Sequence, residues 1–193
     1  MNANLKILGI PGSLRHASYN RAALLAAQTL LPEGVSLSVY DLDGLPQFTR
    51  NPVAQPVPKL AEFKRRIREA DAILFAAPEH MYAMLPVLNN AIDCAASPRG
   101  DNAWFGKPVA VLGASSSLSV AALAQHYLRQ RLLSTHMIPV DQEAVMICNA
   151  GKVFDGQGRL TDAKSQALIR QLLENLTRWA VQLRATTAAG AVC

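Results

Sequence analysis

The chain has 193 residues, half of them hydrophobic and 17% charged, with a formal net charge of +5. That length suits one domain with a substantial core and is too short for two ordinary domains, while the composition excludes a disordered or fibrous chain. No apolar run approaches the roughly 20 residues a bilayer span needs, and the opening MNANLKILGI holds no long apolar signal core, so a cytoplasmic protein with no membrane partner is expected.

Leu5 to Ile10 is the first predicted strand, followed by a polar loop and a helix at about Asn20 to Leu31. Pro32, Glu33 and Gly34 end that helix. Val35 to Tyr40 is a second strand, polar at alternate positions and hence near an edge. The proline-rich stretch Asp41 to Pro58 reads as a surface loop flanking a site. Next come a helix at Pro58 to Ala70, a buried strand at Ala72 to Ala77 and a helix at Leu85 to Ala95. Gly106, Lys107 and Pro108 introduce a buried strand at Val109 to Gly113. A helix at Leu118 to Ser134, a fifth strand around Ala144 to Cys148 and a last helix from about Asp162 to Arg184 complete the series. Strands alternating with amphipathic helices predict an α/β fold, a parallel sheet covered on both faces. Residues 1–185 form the single expected domain, and 186–193 a frayed tail.

Several features have plain readings. Lys64, Arg65, Arg66 and Arg68 fall on one predicted helix beside Phe63 and Ile67, which predicts a solvated face over an apolar stripe and not a nucleic-acid surface. Trp104 and Trp179 read as packing or interface residues and not as stacking platforms for nucleic acid. Cys94, Cys148 and Cys193 lie far apart without a C-x-x-C pair, arguing against a disulfide framework and a zinc site. The histidines at 16, 80, 126 and 136 have no H-E-x-x-H spacing, so no metal is expected. Ser115 after Gly113 lacks the second glycine of a nucleophile elbow, because Ser117 stands there.

In a doubly wound sheet, ligands bind beyond the carboxyl ends of the strands where the winding reverses. The loop after the first strand reads Gly12-Ser13-Leu14-Arg15-His16-Ala17-Ser18-Tyr19-Asn20. Hydroxyls of Ser13 and Ser18, the Arg15 guanidinium and helix-terminal amides near Asn20 can converge there on an anion such as a phosphate. The plainer alternative makes Ser18 or Asn20 a helix cap and Arg15 a solvated charge. Neither G-x-x-x-x-G-K-[ST] nor G-x-G-x-x-G occurs. A Rossmann-type reading would need Asp41 as its ribose-binding acid and would crowd a pyrophosphate where a glycine is missing.

Gly12, Ser13, Leu14, Arg15, Ser18 and Asn20 match the G-S-L-R-x-x-S-x-N loop of the NADPH-dependent FMN reductases, and the chain resembles that family over nearly its whole length. The family's P-E-Y-N-x-S-x-P-G-x-L-K-N-A-I-D-W motif is matched at Pro78, Glu79, Leu88, Asn90, Ala91, Ile92 and Asp93, with Pro86 one place later than the family proline. His80 and Met81 replace its tyrosine and asparagine. Gly113, Ala114 and Ser115 open a third motif, whose glycine-rich continuation is replaced here by Ser116, Ser117, Leu118, Ser119 and Val120.

The resemblance implies a flavodoxin-like three-layer sandwich with a five-stranded parallel sheet in the order 2-1-3-4-5. It also implies FMN as cofactor and NADPH or NADH as electron donor. Ser13, Arg15, Ser18 and Asn20 would hold the FMN phosphate; Pro78, Glu79, His80, Met81, Gly113 and Ser115 would lie along the ring and its chain. The flavin would carry the chemistry with no catalytic side chain, reducing a small-molecule acceptor in alternating half-reactions: a quinone, an azo compound, a metal oxyanion or free flavin. A homodimer or homotetramer is the expected assembly. Two readings stay open beside the reductase, a non-enzymatic FMN-binding carrier or sensor and a Rossmann-type NAD enzyme without flavin.

Overall fold

The computed structural model of the chain describes residues 4–15, 17–49, 57–77, 79–80, 83–84, 86–98, 100–116, 121–141 and 145–190. In order, the elements are β1 (Leu5–Pro11), α1 (Tyr19–Thr29), β2 (Val35–Val39), α2 (Pro58–Glu69), β3 (Ala72–Ala76), β4 (Glu79–His80), β5 (Ala83–Met84), α3 (Pro86–Ala96), β6 (Pro108–Ala114), α4 (Ala121–Ser134), β7 (Ile138–Pro139), β8 (Val145–Ile147), α5 (Ala150–Val153) and α6 (Ala163–Gly190).

The main sheet is parallel and runs β2-β1-β3-β6, with β7 and β8 both pairing β6 on its far side. Counting β7 and β8 as one interrupted strand, this is the order 2-1-3-4-5 expected from the resemblance. Central position explains composition: every residue of β3 is buried, and in β1 only Lys6 is exposed, because both faces of these strands are covered. In β2, Ser36 and Ser38 are exposed while Leu37 is buried, as befits a strand at the margin.

Two apolar layers sandwich the sheet. Ala23, Leu24 and Ala27 of α1 join Ile169, Leu172, Leu173 and Leu176 of α6 in one core, which also takes up Leu5, Ile7 and Leu74 of the sheet. On the opposite face Phe63 and Ile67 of α2, Leu88 and Ile92 of α3 and Leu128 and Leu132 of α4 pack on Leu8, Ile10, Ile73 and Phe75. The alternation of faces along each strand is the two-residue period of the pleat. Trp104 is wholly buried against Phe63 and Phe75 and donates its indole N–H to Ile92 O at 3.0 Å, a packing role as expected.

Four details depart from the expectations. The fifth strand is split: β8 falls within the predicted Ala144 to Cys148, but β7 supplies a separate two-residue piece whose Pro139 confines it to the sheet margin. The loop after β3 contains a small antiparallel ladder, Glu79 opposite Met84 and His80 opposite Ala83. α6 continues to Gly190, beyond the predicted end at Arg184. Lys64 does not belong to a solvated face; it is 5% exposed, and its ammonium donates to Ser97 O at 2.6 Å and to the Asp101 carboxylate.

Candidate active site

Parallel registry brings the strand exits together. Pro11 lies opposite Ala76, Ala76 opposite Leu112, and Ala114 opposite Ile147, so the segments that follow leave from one edge of the sheet. From β1 the chain passes to α1 on one face, whereas from β3 it passes to α3 on the other. The winding therefore reverses between β1 and β3, the position at which such sheets open a crevice.

The loop after β1 is pinned at its root by Gly12, whose N–H donates to Ala76 O at 2.8 Å. Ser13 Oγ accepts the Arg15 N–H at 3.2 Å, folding the loop on itself and leaving Leu14 and Arg15 exposed. Ser18 caps α1 from an extended conformation, its Oγ accepting the Asn20 N–H at 3.3 Å. No acidic residue occupies the first turn of α1, and the nearby Asp41 carboxylate is paired with the guanidinium of Arg21. Hydroxyls, one guanidinium and a helix N-terminus without carboxylates make a donor set suited to an anion. His16 lies outside the described residues.

Asn20 behaves differently from its neighbours. Its side chain is only 3% exposed; Nδ2 donates to Ala114 O at 3.0 Å and Oδ1 accepts the Ala114 N–H at 2.9 Å. The amide is thus engaged in a brace between α1 and the end of β6.

Gly113 sits within the sheet, where a Cβ would lie 3.0 Å from Ala77 O and 3.0 Å from Met146 Sδ. Ser115 donates its N–H to Ile147 O at 2.9 Å, and its carbonyl accepts the Ala150 N–H at 3.0 Å, which joins β6, β8 and α5 beside the first loop. Pro78 and Met81 lie outside the described residues, and Glu79 and His80 are described as the first strand of the small ladder. The structure accordingly brings Ser13, Arg15, Ser18, Asn20, Gly113 and Ser115 to one edge.

Sequence reasoning did not foresee how the proline-rich loop is held. Asn90 of α3 accepts the Phe48 N–H at 2.7 Å and donates to Pro46 O at 2.9 Å, and one turn on the Cys94 thiol donates to the same carbonyl at 3.4 Å. Burial, together with the charge of Asp93, pushes that thiol up from its ordinary value. So stapled, residues 42–47 face Leu14, Pro86 and Val87 across a groove of about 360 Å³. The described part of the loop, residues 41–49, thus borders the first loop at Leu14. The only signal for the staple was the asparagine of the second motif.

A profile described as NADPH-dependent FMN reductase matches residues 5–152. The chain belongs to that family. It is 45% identical over 185 residues to an NAD(P)H-dependent FMN reductase of Pseudomonas aeruginosa, covering 95% of this chain and 100% of that one. It is 33% identical over 171 residues to a quinone reductase of Pseudomonas putida, covering 88% and 91% respectively. Among solved structures it is similar to FerB, a flavoenzyme NAD(P)H:(acceptor) oxidoreductase of Paracoccus denitrificans, with a TM-score of 0.82 and 26% identity over 92% of this chain and 98% of that one.

The chain is an NAD(P)H-dependent flavoenzyme with FMN as its flavin. The Rossmann alternative fails on two observations, since β1 lies between β2 and β3 instead of at the end of a 3-2-1 half-sheet, and Asp41 is committed to Arg21. The non-enzymatic carrier falls with the family assignment. The residues of the first loop fit a phosphate, a dianion that this donor set can receive without a carboxylate opposing it. Among the described residues no helix is long and apolar enough to cross a membrane.

Proposed function

We propose that this reductase holds the FMN phosphate on the loop after β1, with the ring directed toward residues 78–81 and 113–115, and that it delivers electrons from NAD(P)H to a quinone or to free flavin. The observation that carries the proposal is the carboxylate-free donor set of Ser13, Arg15, Ser18 and the α1 N-terminus at the point where the winding reverses. Bound FMN would supply the two-electron chemistry, for which no side-chain nucleophile is needed.

The chain's own part is binding, orientation and electrostatics. Ser13 and Ser18 offer hydroxyls, Arg15 a charge on an exposed flexible stem, and the start of α1 a positive dipole end. Gly113 and Ser115 shape the floor by backbone, because Gly113 is paired with Met146 of β8 and the Ser115 N–H and carbonyl are bonded to Ile147 of β8 and Ala150 of α5. Glu79 and His80 occupy the short ladder that leaves β3, where they can border the ring. Donor and acceptor use the same open side in turn, so the acceleration comes from holding reactants in register, with no side-chain nucleophile. Quinone and flavin reductases among the relatives support those acceptors over azo compounds and metal oxyanions. A cytoplasmic homodimer or homotetramer accompanies this reading.

The test is an anaerobic titration of the FMN-loaded protein with NADPH, and with NADH in parallel, followed by addition of each acceptor class. Bleaching of the visible flavin band by NADPH and rapid recovery with a quinone or FMN are expected. Failure to take up FMN, or bleaching that no quinone or flavin reverses, overturns the proposal.

A further inference from the structure

Asn20 stands in the motif whose other polar members are assigned to the phosphate, yet both ends of its amide are bonded to one backbone residue. Nδ2 donates to Ala114 O and Oδ1 accepts the Ala114 N–H, a closed pair between groups 94 positions apart in sequence, in a setting where the side chain is 3% exposed. Its own backbone N–H is taken by Ser18 Oγ. Each end keeps one further site, the second Nδ2 hydrogen and the second Oδ1 lone pair, but the residue is enclosed at 3% exposure, and a ligand taking over either existing bond would leave a backbone group unpaired.

What the pair connects is informative. Asn20 is the second residue of α1, directly behind the loop that receives the phosphate, and Ala114 is the last residue of β6, directly ahead of Ser115. Two other bonds complete a frame: Gly12 N–H to Ala76 O fixes the loop root to β3, and Ser115 N–H to Ile147 O fixes the far segment to β8. Only the Asn20 pair, among these, joins the phosphate side to the segment after β6 directly. We infer that Asn20 is a positioning residue, which touches no part of the FMN and instead sets the distance between the phosphate loop and the ring-side segment. The inference rests on the assignment of the phosphate to Ser13, Arg15 and Ser18.

Riboflavin, which keeps the ring and ribityl chain but lacks the phosphate, separates the roles. A phosphate ligand contributes to FMN affinity and not to riboflavin affinity; a residue that sets the frame contributes to both. The experiment measures dissociation constants of wild type, Asn20→Ser and Asn20→Asp for FMN and for riboflavin, with Arg15→Ala as the phosphate control, at a temperature where melting curves show each variant folded. Asn20→Asp keeps an acceptor for the Ala114 N–H, loses the donor to Ala114 O and adds a carboxylate that itself repels a phosphate, so where Asn20→Ser does not fold it is read on riboflavin alone. The expected result is a loss of about tenfold or more for both flavins in the Asn20 variants, with a shifted visible band for the bound flavin, and a loss for FMN alone in Arg15→Ala. Loss of FMN affinity with riboflavin unaffected would make Asn20 a phosphate ligand and overturn the inference, as would full retention of both flavins. Arg15→Ala with unchanged FMN affinity would instead count against the phosphate assignment itself.

Discussion

The carbonyl oxygen of Ala77 lies where a side chain on Gly113 would begin: an added Cβ would stand 3.0 Å from it. Met146 Sδ, equally near, is the end of a flexible side chain and can move, but the Ala77 peptide is held by its N–H bond to Leu112 O at 2.9 Å. Gly113→Ala should therefore lower stability by about 1–3 kcal/mol through overpacking. A reduced urea midpoint with unchanged slope is the expected readout. Gly156→Ala, which meets open space, is the control and should change stability by no more than about 0.5 kcal/mol.

Arg15→Ala should weaken FMN retention by about tenfold, since a charge-assisted contact to phosphate is lost while the loop keeps its backbone bonds. Ser18→Ala should do the same and also lower the melting temperature, because it removes the α1 cap, an effect of about 1 kcal/mol. Equilibrium dialysis and thermal melts of the flavin-free proteins separate the two contributions.

Lys64 holds the Ser97 carbonyl and the Asp101 carboxylate from a buried position on α2. Lys64→Met keeps most of the apolar stem but strips the Ser97 carbonyl of its donor, and should cost about 1–3 kcal/mol. Arg65, exposed and paired with Glu69 one turn away, should leave the urea midpoint unchanged when replaced by Met. Equal effects at the two positions would contradict the burial difference.

The same cluster sets a direction for pH dependence. The hydrogen bond from Lys64, helped by the charges of Lys64 and Arg68, holds the Asp101 carboxyl below its ordinary range against the opposing pull of burial. A carboxyl depressed in the folded state contributes its full stabilisation above its unfolded value and loses it as pH falls through the folded one. Asp155 and Asp162 are shifted the same way, by bonds from Arg159 and from Ser165. Stability should fall steadily below about pH 4, and Asp101→Asn should make that fall shallower in urea melts taken across the acid range.

Asn90 staples the proline-rich loop through the Phe48 N–H and Pro46 O. Asn90→Ala should cost about 1–2 kcal/mol and speed hydrogen exchange at the Phe48 amide, which loses its acceptor. Unaltered exchange at that amide would show that the loop is held by other means.

Much of the architecture was legible along the chain. β1 and β3 are short apolar runs because both of their faces are covered, β2 alternates because it lies near the margin, and Pro58, Pro86 and Gly34 mark boundaries by their own backbone restrictions. The elements that escaped were short. β7 has two residues, the β4–β5 ladder two on each side and α5 four, too few for a periodic signal, and β7 and α5 are held by partners distant in sequence. Lys64 was misread for a related reason: periodicity reports that a position borders the apolar stripe, but only the approach of Ser97 and Asp101 decides that a lysine there is enclosed.

By itself the sequence determined the alternation of strands and helices, the polar loop at the first strand exit and the family motifs, because these depend on residues within a turn or two of one another. The tertiary structure alone decided that Asn20 grips Ala114, that Gly113 must admit Ala77, that Asp41 is occupied by Arg21 and that Asn90 staples the proline-rich loop. Each is a contact between segments that meet only when the sheet is assembled, and a hydrogen bond or a steric limit exists only once both of its partners are in place.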